Sequence, residues 1–529
     1  MFIKKNTSYL NYYQTNKISI KNVAKYLIYF FISISPAIIT VFLINRFFQS
    51  SITKFKLIWS DEIFYWHETY SFMHVGFKGG FYSINEIVKN SIVHPGPHGP
   101  FYSIFMSLAS YLANYKPYLS GPVFNLIFLC CSIMFFLIIT KPNINKMIYI
   151  FISVIFFWPI LLYIPSHMQE VIHLSFAIII SGLFFVLMNG SAAKEKINSK
   201  AKVALFVILS ISSFIRPTWS ILFICFFICI CKPSIRNFFI ALIKGIPLIG
   251  FFFIINMSLQ SPYPNWLSSL LNISHTSFSK AFVMLLNHFK LNFLRYISLS
   301  EGSSLERALH FSVLIIAVFN IIYLFKIVYK LKCNTEIGNN LYRCLFHFNN
   351  IFLVLILNLA FYDIYSWRDY RVIAPHLIAS ILFEILNGDK FLPAVLIFIN
   401  MSIIPSFINC YKEFHIDHFP TNHSADIDCS VFDKVMSYNE NGESWENTLL
   451  VDFSNVDSNL INVPPGIGIS LIIDMNTLKS PVKSKYLLIN DVTYEALSKN
   501  NKLELVNLPK DKNCHGKLYI NSNYKHIGN

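Results

Sequence analysis

The sequence predicts an α-helical polytopic membrane protein carrying a small soluble α/β domain at its C-terminal end. Three observations lead there. The 529 residues are 54% hydrophobic and only 13% charged, with a mean hydropathy of +0.50, well outside the composition of water-soluble domains. Apolar stretches of the roughly 17–25 residues needed to cross a bilayer as helices recur along most of the chain up to residue 409. Beyond residue 410 the long apolar runs stop, and 15 Asp and Glu stand against 11 Lys.

The candidate crossings lie near 24–48, 119–140, 147–164, 171–189, 203–215, 218–231, 238–257, 309–328, 346–364, 371–387 and 390–408, about 11 in all, the two flanking Arg216 being short. Basic residues near span ends stay in the cytoplasm. They cluster before the first span (Lys4, Lys5, Lys17, Lys21, Lys25) and in alternate connections thereafter, through Lys141, Lys194, Arg236, Lys326 and Arg343. The N-terminus is therefore expected inside, with long outward loops at 49–118 and 258–308 and the C-terminal domain outside. The first apolar run is long and lacks a small-residue cleavage site, so it is expected to remain as an anchor. The net charge of +15 is spread over membrane-flanking loops without a clustered patch, and no nucleic-acid partner is expected.

The division is 1–409 for the transmembrane body and 410–529 for the soluble domain. Strands are expected at 448–453, 469–474, 486–491, 503–508 and 517–522, with a helix over VTYEALSKNN. Of ten cysteines, Cys225, Cys229 and Cys231 lie in an apolar span and read as small hydrophobes rather than metal ligands. Whether Cys429 and Cys514 pair is left open.

The first 409 residues contain 13 acidic side chains, and two stand together in WSDE. Ser60 is expected to cap a helix beginning at Asp61, with Asp61 and Glu62 in its first turn, where the helix dipole favours negative charge. The following DEIFYWHETYSFMHVG has the spacing of a helix lying on the membrane surface. Asp61 and Glu62 are accordingly the candidate catalytic acids, with His67 and Glu68 serving packing or solvation. HPGPHGPFY is a turn shaped by glycine and proline, whose His94 and His98 are suited to phosphate or to a proton. His173, His376 and Glu384 stand close to span ends, and PYPNW, Trp219 and Trp367 are aromatic candidates for sugar stacking.

Taken in order, the acidic motif after the first span, His-Gly-Pro-Phe-Tyr before the second, SHMQE at the start of the fourth, FIRPTW between two short spans and WRDYRVIAPHL opening a late span resemble the GT-C superfamily over residues 24 to about 390. These are integral membrane glycosyltransferases using polyprenyl-phosphate-linked sugars, related in layout to protein mannosyltransferases and the aminoarabinose transferase. The resemblance implies that Asp61 is the base or acceptor-orienting acid, Glu170 the second acid, and Arg371 the residue facing the lipid phosphate. The order Tyr370-Arg371 departs from the family's Arg-Tyr pattern, which leaves Arg368 as an alternative, and Arg216 joins the substrate-binding candidates. Inverting transfer to a glycan, glycolipid or protein acceptor is implied. Mg²⁺ or Mn²⁺, with Asp61 as a candidate ligand, is the cofactor the chemistry admits. Abundant Ile, Asn, Lys and Phe favour a bacterial inner-membrane enzyme acting on lipopolysaccharide or O-antigen; an O-antigen polymerase or ligase and a lipid or sugar transporter are the alternatives.

Overall fold

The computed structural model describes residues 20–523 apart from 85, 87–98, 115, 117, 193–198, 231–234, 261–265, 298–302, 333–338, 362–370, 420–429, 453–457, 474, 476–477, 479–480 and 507–516. Five helices serve as landmarks: α1 (Ile20–Phe48), α2 (Ser60–Val75), α3 (Glu170–Ala192), α4 (Ala374–Asn387) and α5 (Ile404–His415). Among the described residues six helices are long and apolar enough to cross a membrane, and a seventh crossing exists if Phe391–Ser402 and α5, bent by 55° at their junction, form one span. The body is thus a helical polytopic membrane protein.

Fewer long spans form than the eleven apolar runs suggest, and prolines explain two of the differences. The run at 147–164 divides into Ile144–Phe156 and Trp158–Tyr163 at Phe157, whose ψ of 90° interrupts the helix just ahead of Pro159. The runs around Arg216 become a helix Ser199–Ile215, a 3₁₀ turn Pro217–Ile221 and a helix Leu222–Cys229, since Pro217 has no N–H to continue the ladder. Cys225 and Cys229 are fully buried in that last helix, whereas Cys231, Cys429 and Cys514 lie outside the described residues.

All five strands expected in the C-terminal part form: β2 (Thr448–Asp452), β3 (Gly468–Ile472), β4 (Tyr486–Ile489), β5 (Leu503–Leu505) and β6 (Lys517–Asn521). The expected helix forms at Asp491–Leu497, where the Asn490 side chain accepts from the Thr493 N–H. A sixth strand, β1 (Tyr82–Ile84), comes from the loop after the first span and completes a sheet of order β1-β3-β2-β4-β6-β5. Strands β1 to β4 run parallel, with Tyr82 opposite Ile469 and Leu449 opposite Tyr486, while β6 and β5 add antiparallel. β2, β3 and β4 are buried along their whole length, as parallel strands covered on both faces are. The boundary drawn at residue 410 therefore cuts through a single sheet. Glu86, just beyond β1, clamps it by accepting hydrogen bonds from the Lys483 and Ser484 amides at 2.8 Å each and from the Ser484 hydroxyl.

Helix α2 is expected on the membrane surface but lies in the core. Residues 62–69 are all buried, because the helix Phe101–Leu112 packs on one side and the sheet docks on the other. His67 Nε2 donates to the Ile467 carbonyl at 2.7 Å, and the Gly466 amide donates to Ser71 Oγ at 3.1 Å. Gly80, at φ +79°, lies so close that a Cβ there would stand 2.1 Å from Ser71 Cβ, which restricts the position to glycine.

The bundle interior carries a polar seam that the positions of His173, His376 and Glu384 near span ends do not suggest. His376, Ser380 and Glu384, spaced four residues apart on one face of α4, are all buried. They meet His347 and Asn350 of the neighbouring span: His347 Nε2 lies 2.7 Å from Glu384, His347 Nδ1 3.2 Å from Ser380 Oγ, and Asn350 Oδ1 2.9 Å from His376 Nδ1. Glu384 also takes Arg343 and the Tyr323 hydroxyl, and Arg343 reaches Asp389 at 3.2 Å. Arg371 and Asp389 flank α4, whose 14 residues rise about 21 Å. Glu384→Ala would leave Arg343 buried without its main counter-charge, and thermal unfolding in detergent is expected to show a loss of about 3–5 kcal/mol; an unchanged transition would contradict the pairing.

Candidate functional site

Four charged residues far apart in sequence meet at the end of the bundle that faces the sheet. Asp61 sits in the first turn of α2, Glu170 opens α3, Arg216 precedes the Pro217 turn, and Arg371 precedes α4. Arg371 Nη2 lies 3.3 Å from Asp61 Oδ2 and its Nε 3.6 Å from Glu170 Oε1, while Arg216 Nη2 lies 3.4 Å from the same Glu170 oxygen. The result is a row of alternating charge, Asp61, Arg371, Glu170, Arg216. It is graded in exposure: the Asp61 and Arg371 side chains are 35% and 27% accessible, Arg216 14% and Glu170 4%. Asp61 and Arg371 are therefore the members of the row most open to solvent. Burial works against the charge on Arg371, but Glu170 and Asp61 overcome it and hold the guanidinium protonated more firmly than usual. Glu170 Oε2 is buried without a hydrogen-bond partner among the described residues, as is the neighbouring Gln169 Nε2.

Glu62, paired with Asp61 in the sequence, is placed differently. The helix begins at Ser60, one residue earlier than expected, so that Trp59 occupies the cap position and Glu62 the third helical position. From there the Glu62 carboxylate accepts from the Ile58 and Trp59 amides at 3.3 Å each, one half of a capping box. It also accepts from the His167 amide at 2.7 Å and meets His418 Nε2 at 2.9 Å. The side chain is fully buried and occupied by these contacts. It ties the start of α2 to the loop that presents Glu170.

Tyr65, one turn from Asp61 on the same helix face, belongs to the site and was not singled out from sequence, although the i, i+4 spacing marks it. Burial, then Asp61, push its hydroxyl well above the usual tyrosine range, and Glu170 adds to this, so it stays a neutral phenol beside the charged row. Tyr102, in the helix after the histidine turn, donates to the His167 carbonyl at 3.1 Å. His94, His98, Arg368 and Trp367 fall outside the described residues.

The two aromatic candidates among the described residues differ in placement. Trp219 is fully buried; it donates to His173 Nδ1 at 3.1 Å and packs on His376 with ring centroids 4.3 Å apart. Trp266 stacks on His288 at 3.9 Å and lines a groove of about 470 Å³ with Lys280, Val283 and Met284. Among the described residues no three His, Cys, Asp or Glu side chains are grouped to hold a metal ion, and Asp61 faces a guanidinium, so the residues described do not form a metal-holding set. Comparison with family models, with curated proteins and with solved structures finds no match.

Burial of neutral histidines beside the row gives a stability signature. Desolvation pushes His67 and His167 down to about 4. A lowered histidine contributes its full stability above the ordinary value near 6.5 and loses it as pH falls through the native value. Each is worth on the order of 3 kcal/mol, so thermal stability in detergent is expected to fall steeply between about pH 6.5 and 4. His67→Gln and His167→Gln should each flatten that slope; parallel curves would contradict the assignment.

Proposed function

We propose that the protein is a membrane glycosyltransferase of GT-C type, which moves a sugar from a polyprenyl-phosphate donor to an extracytoplasmic acceptor by inverting displacement. The observation that carries this reading is the convergence of Asp61, Glu170, Arg216 and Arg371, one from each of four separate motifs, into a single row of charge. In this reading the short helices around Arg216, the pair divided at Phe157, α4 and the bent pair ending at His415 complete about 11 crossings, the N-terminus is cytoplasmic, and the sheet and charged row face outward from a bacterial inner membrane.

The chemistry assigns a role to each group. The sugar-bearing phosphate displaces Asp61 from Arg371, so the guanidinium meets an anion whose charge grows as the bond breaks. Asp61, released at the exposed edge, takes the acceptor hydroxyl proton. The acceptor oxygen bonds to the anomeric carbon as the carbon–oxygen bond to phosphate breaks, and the electron pair leaves on the lipid phosphate. Glu170, held between two arginines and nearly inaccessible, sets their separation. Glu62 positions the acids rather than touching substrate. The acceptor is a surface glycan, glycolipid or protein, with lipopolysaccharide or O-antigen favoured.

A second reading, transport of a lipid or sugar, is favoured by the buried seam through His376, Ser380 and Glu384, since ionisable groups inside membranes mark pathways. The two separate in membranes supplied with radiolabelled polyprenyl-phosphate sugars. Under the transferase reading the wild type glycosylates an acceptor. Asp61→Asn then lowers the rate by about 10²-fold or more at equal protein level, and Arg371→Lys, which lacks the planar fork, is also strongly impaired. Transfer by Asp61→Asn at the wild-type rate would remove that residue from the mechanism, and movement of lipid without transfer would favour transport.

A further inference from the structure

Beyond the charged row, a second buried polar group holds the site from the side of the tail. His415 ends α5 and His418 lies in the turn that follows it, and both are fully buried. His415 Nε2 lies 2.8 Å from the Leu162 carbonyl, an acceptor only, so that nitrogen carries hydrogen and His415 Nδ1, in the neutral ring, accepts. Facing it at 3.3 Å, and facing the Phe414 carbonyl at 3.2 Å, is His418 Nδ1, which must therefore donate. The other nitrogen, His418 Nε2, lies 2.9 Å from Glu62, whose carboxylate also accepts from three backbone N–H donors. With hydrogen already on Nδ1, the contact with Glu62 needs one further proton, which on Nε2 makes the ring an imidazolium. Its surroundings suit a cation: Phe55 stacks on it at 5.3 Å and Trp59 meets it edge-on at 4.4 Å.

We propose that His418 is a positioning residue of the Asp61–Glu170 site, acting as a buried imidazolium that fixes Glu62 and, through it, the relative placement of the first turn of α2 and the loop carrying Glu170. The titratable and charged groups around it are Glu62 and Lys56 from the first loop, His167 from the loop before α3, and His415, Glu413 and Asp417 from its own segment, the last two exposed. The inference rests on the glycosyl-transfer reading only for its activity readout.

The test uses the full chain in lipid nanodiscs with ¹⁵N-labelled histidine rings, His418 being assigned from the signal missing in His418→Gln. The expected spectrum at pH 7 has both His418 nitrogens protonated. Glutamine keeps a donor for Glu62 but cannot titrate. His418→Gln should therefore remain folded, lose about tenfold or more in turnover with KM within about twofold, and exchange the His167 amide faster. A neutral His418 ring at pH 7, or a variant matching the wild type in turnover, would overturn the proposal. Should no polyprenyl-phosphate donor support transfer by the wild type, the functional reading fails on its own. The ring spectrum and His167 exchange then decide the present inference: a protonated ring with faster exchange in the variant supports it, and a neutral ring or unchanged exchange overturns it.

Discussion

A carboxylate taken out of water must find cations or N–H donors, and that constraint organises both ends of this molecule. Few acids are present in the membrane body, and Glu384, Glu170 and Glu62 are each buried against cations or N–H donors. Glu384 gathers Arg343, His347 and Tyr323 at one end of α4. At the other end Glu170 is shared by Arg216 and Arg371. Glu62 gathers three backbone amides and His418. Each acid draws together separate segments, in the Glu62–His418 pair 356 residues apart, and since breaking a buried pair is costly, these junctions fix how the helices stand relative to one another.

The soluble part is tied into the same scheme rather than appended to it. β1 from the first loop enters the sheet, Glu86 fastens it, and His67 and Ser71 of α2 bond to the 466–467 turn. The helix that carries Asp61 is thereby gripped between the sheet and the helix Phe101–Leu112. A lid that swings freely would not be built this way; the sheet acts as a scaffold that sets the height and rotation of α2 over the bundle.

Much of this was legible in the sequence and some of it was not, for physical reasons. Hydrophobic runs reveal a membrane body, and alternation reveals the strands of the tail, because both patterns are local. Asp61, Glu170, Arg216 and Arg371 were legible as separate motifs. Their mutual geometry is a tertiary property that spacing along the chain does not encode. The burial of α2 was missed because its aromatic face suits an interface as well as a core, and the coverage comes from residues hundreds of positions away. Trp219, a candidate for sugar stacking by sequence, is instead turned inward after Pro217 onto His173 and His376. The Glu62–His418 pair joins positions 356 residues apart, and neither residue signals the other.

The central claim is that Arg371, compensated in the resting site by Asp61 and Glu170, is the cation that receives a lipid-borne phosphate. Its most direct test is binding of polyprenyl monophosphate to the purified protein, followed by native mass spectrometry, with Arg371→Gln beside the wild type and an uncharged polyprenol as control. The account predicts that the wild type retains the phosphate lipid, that the variant binds it at least about tenfold more weakly, and that polyprenol binds both poorly. Equal retention of the phosphate lipid by the two proteins would contradict it.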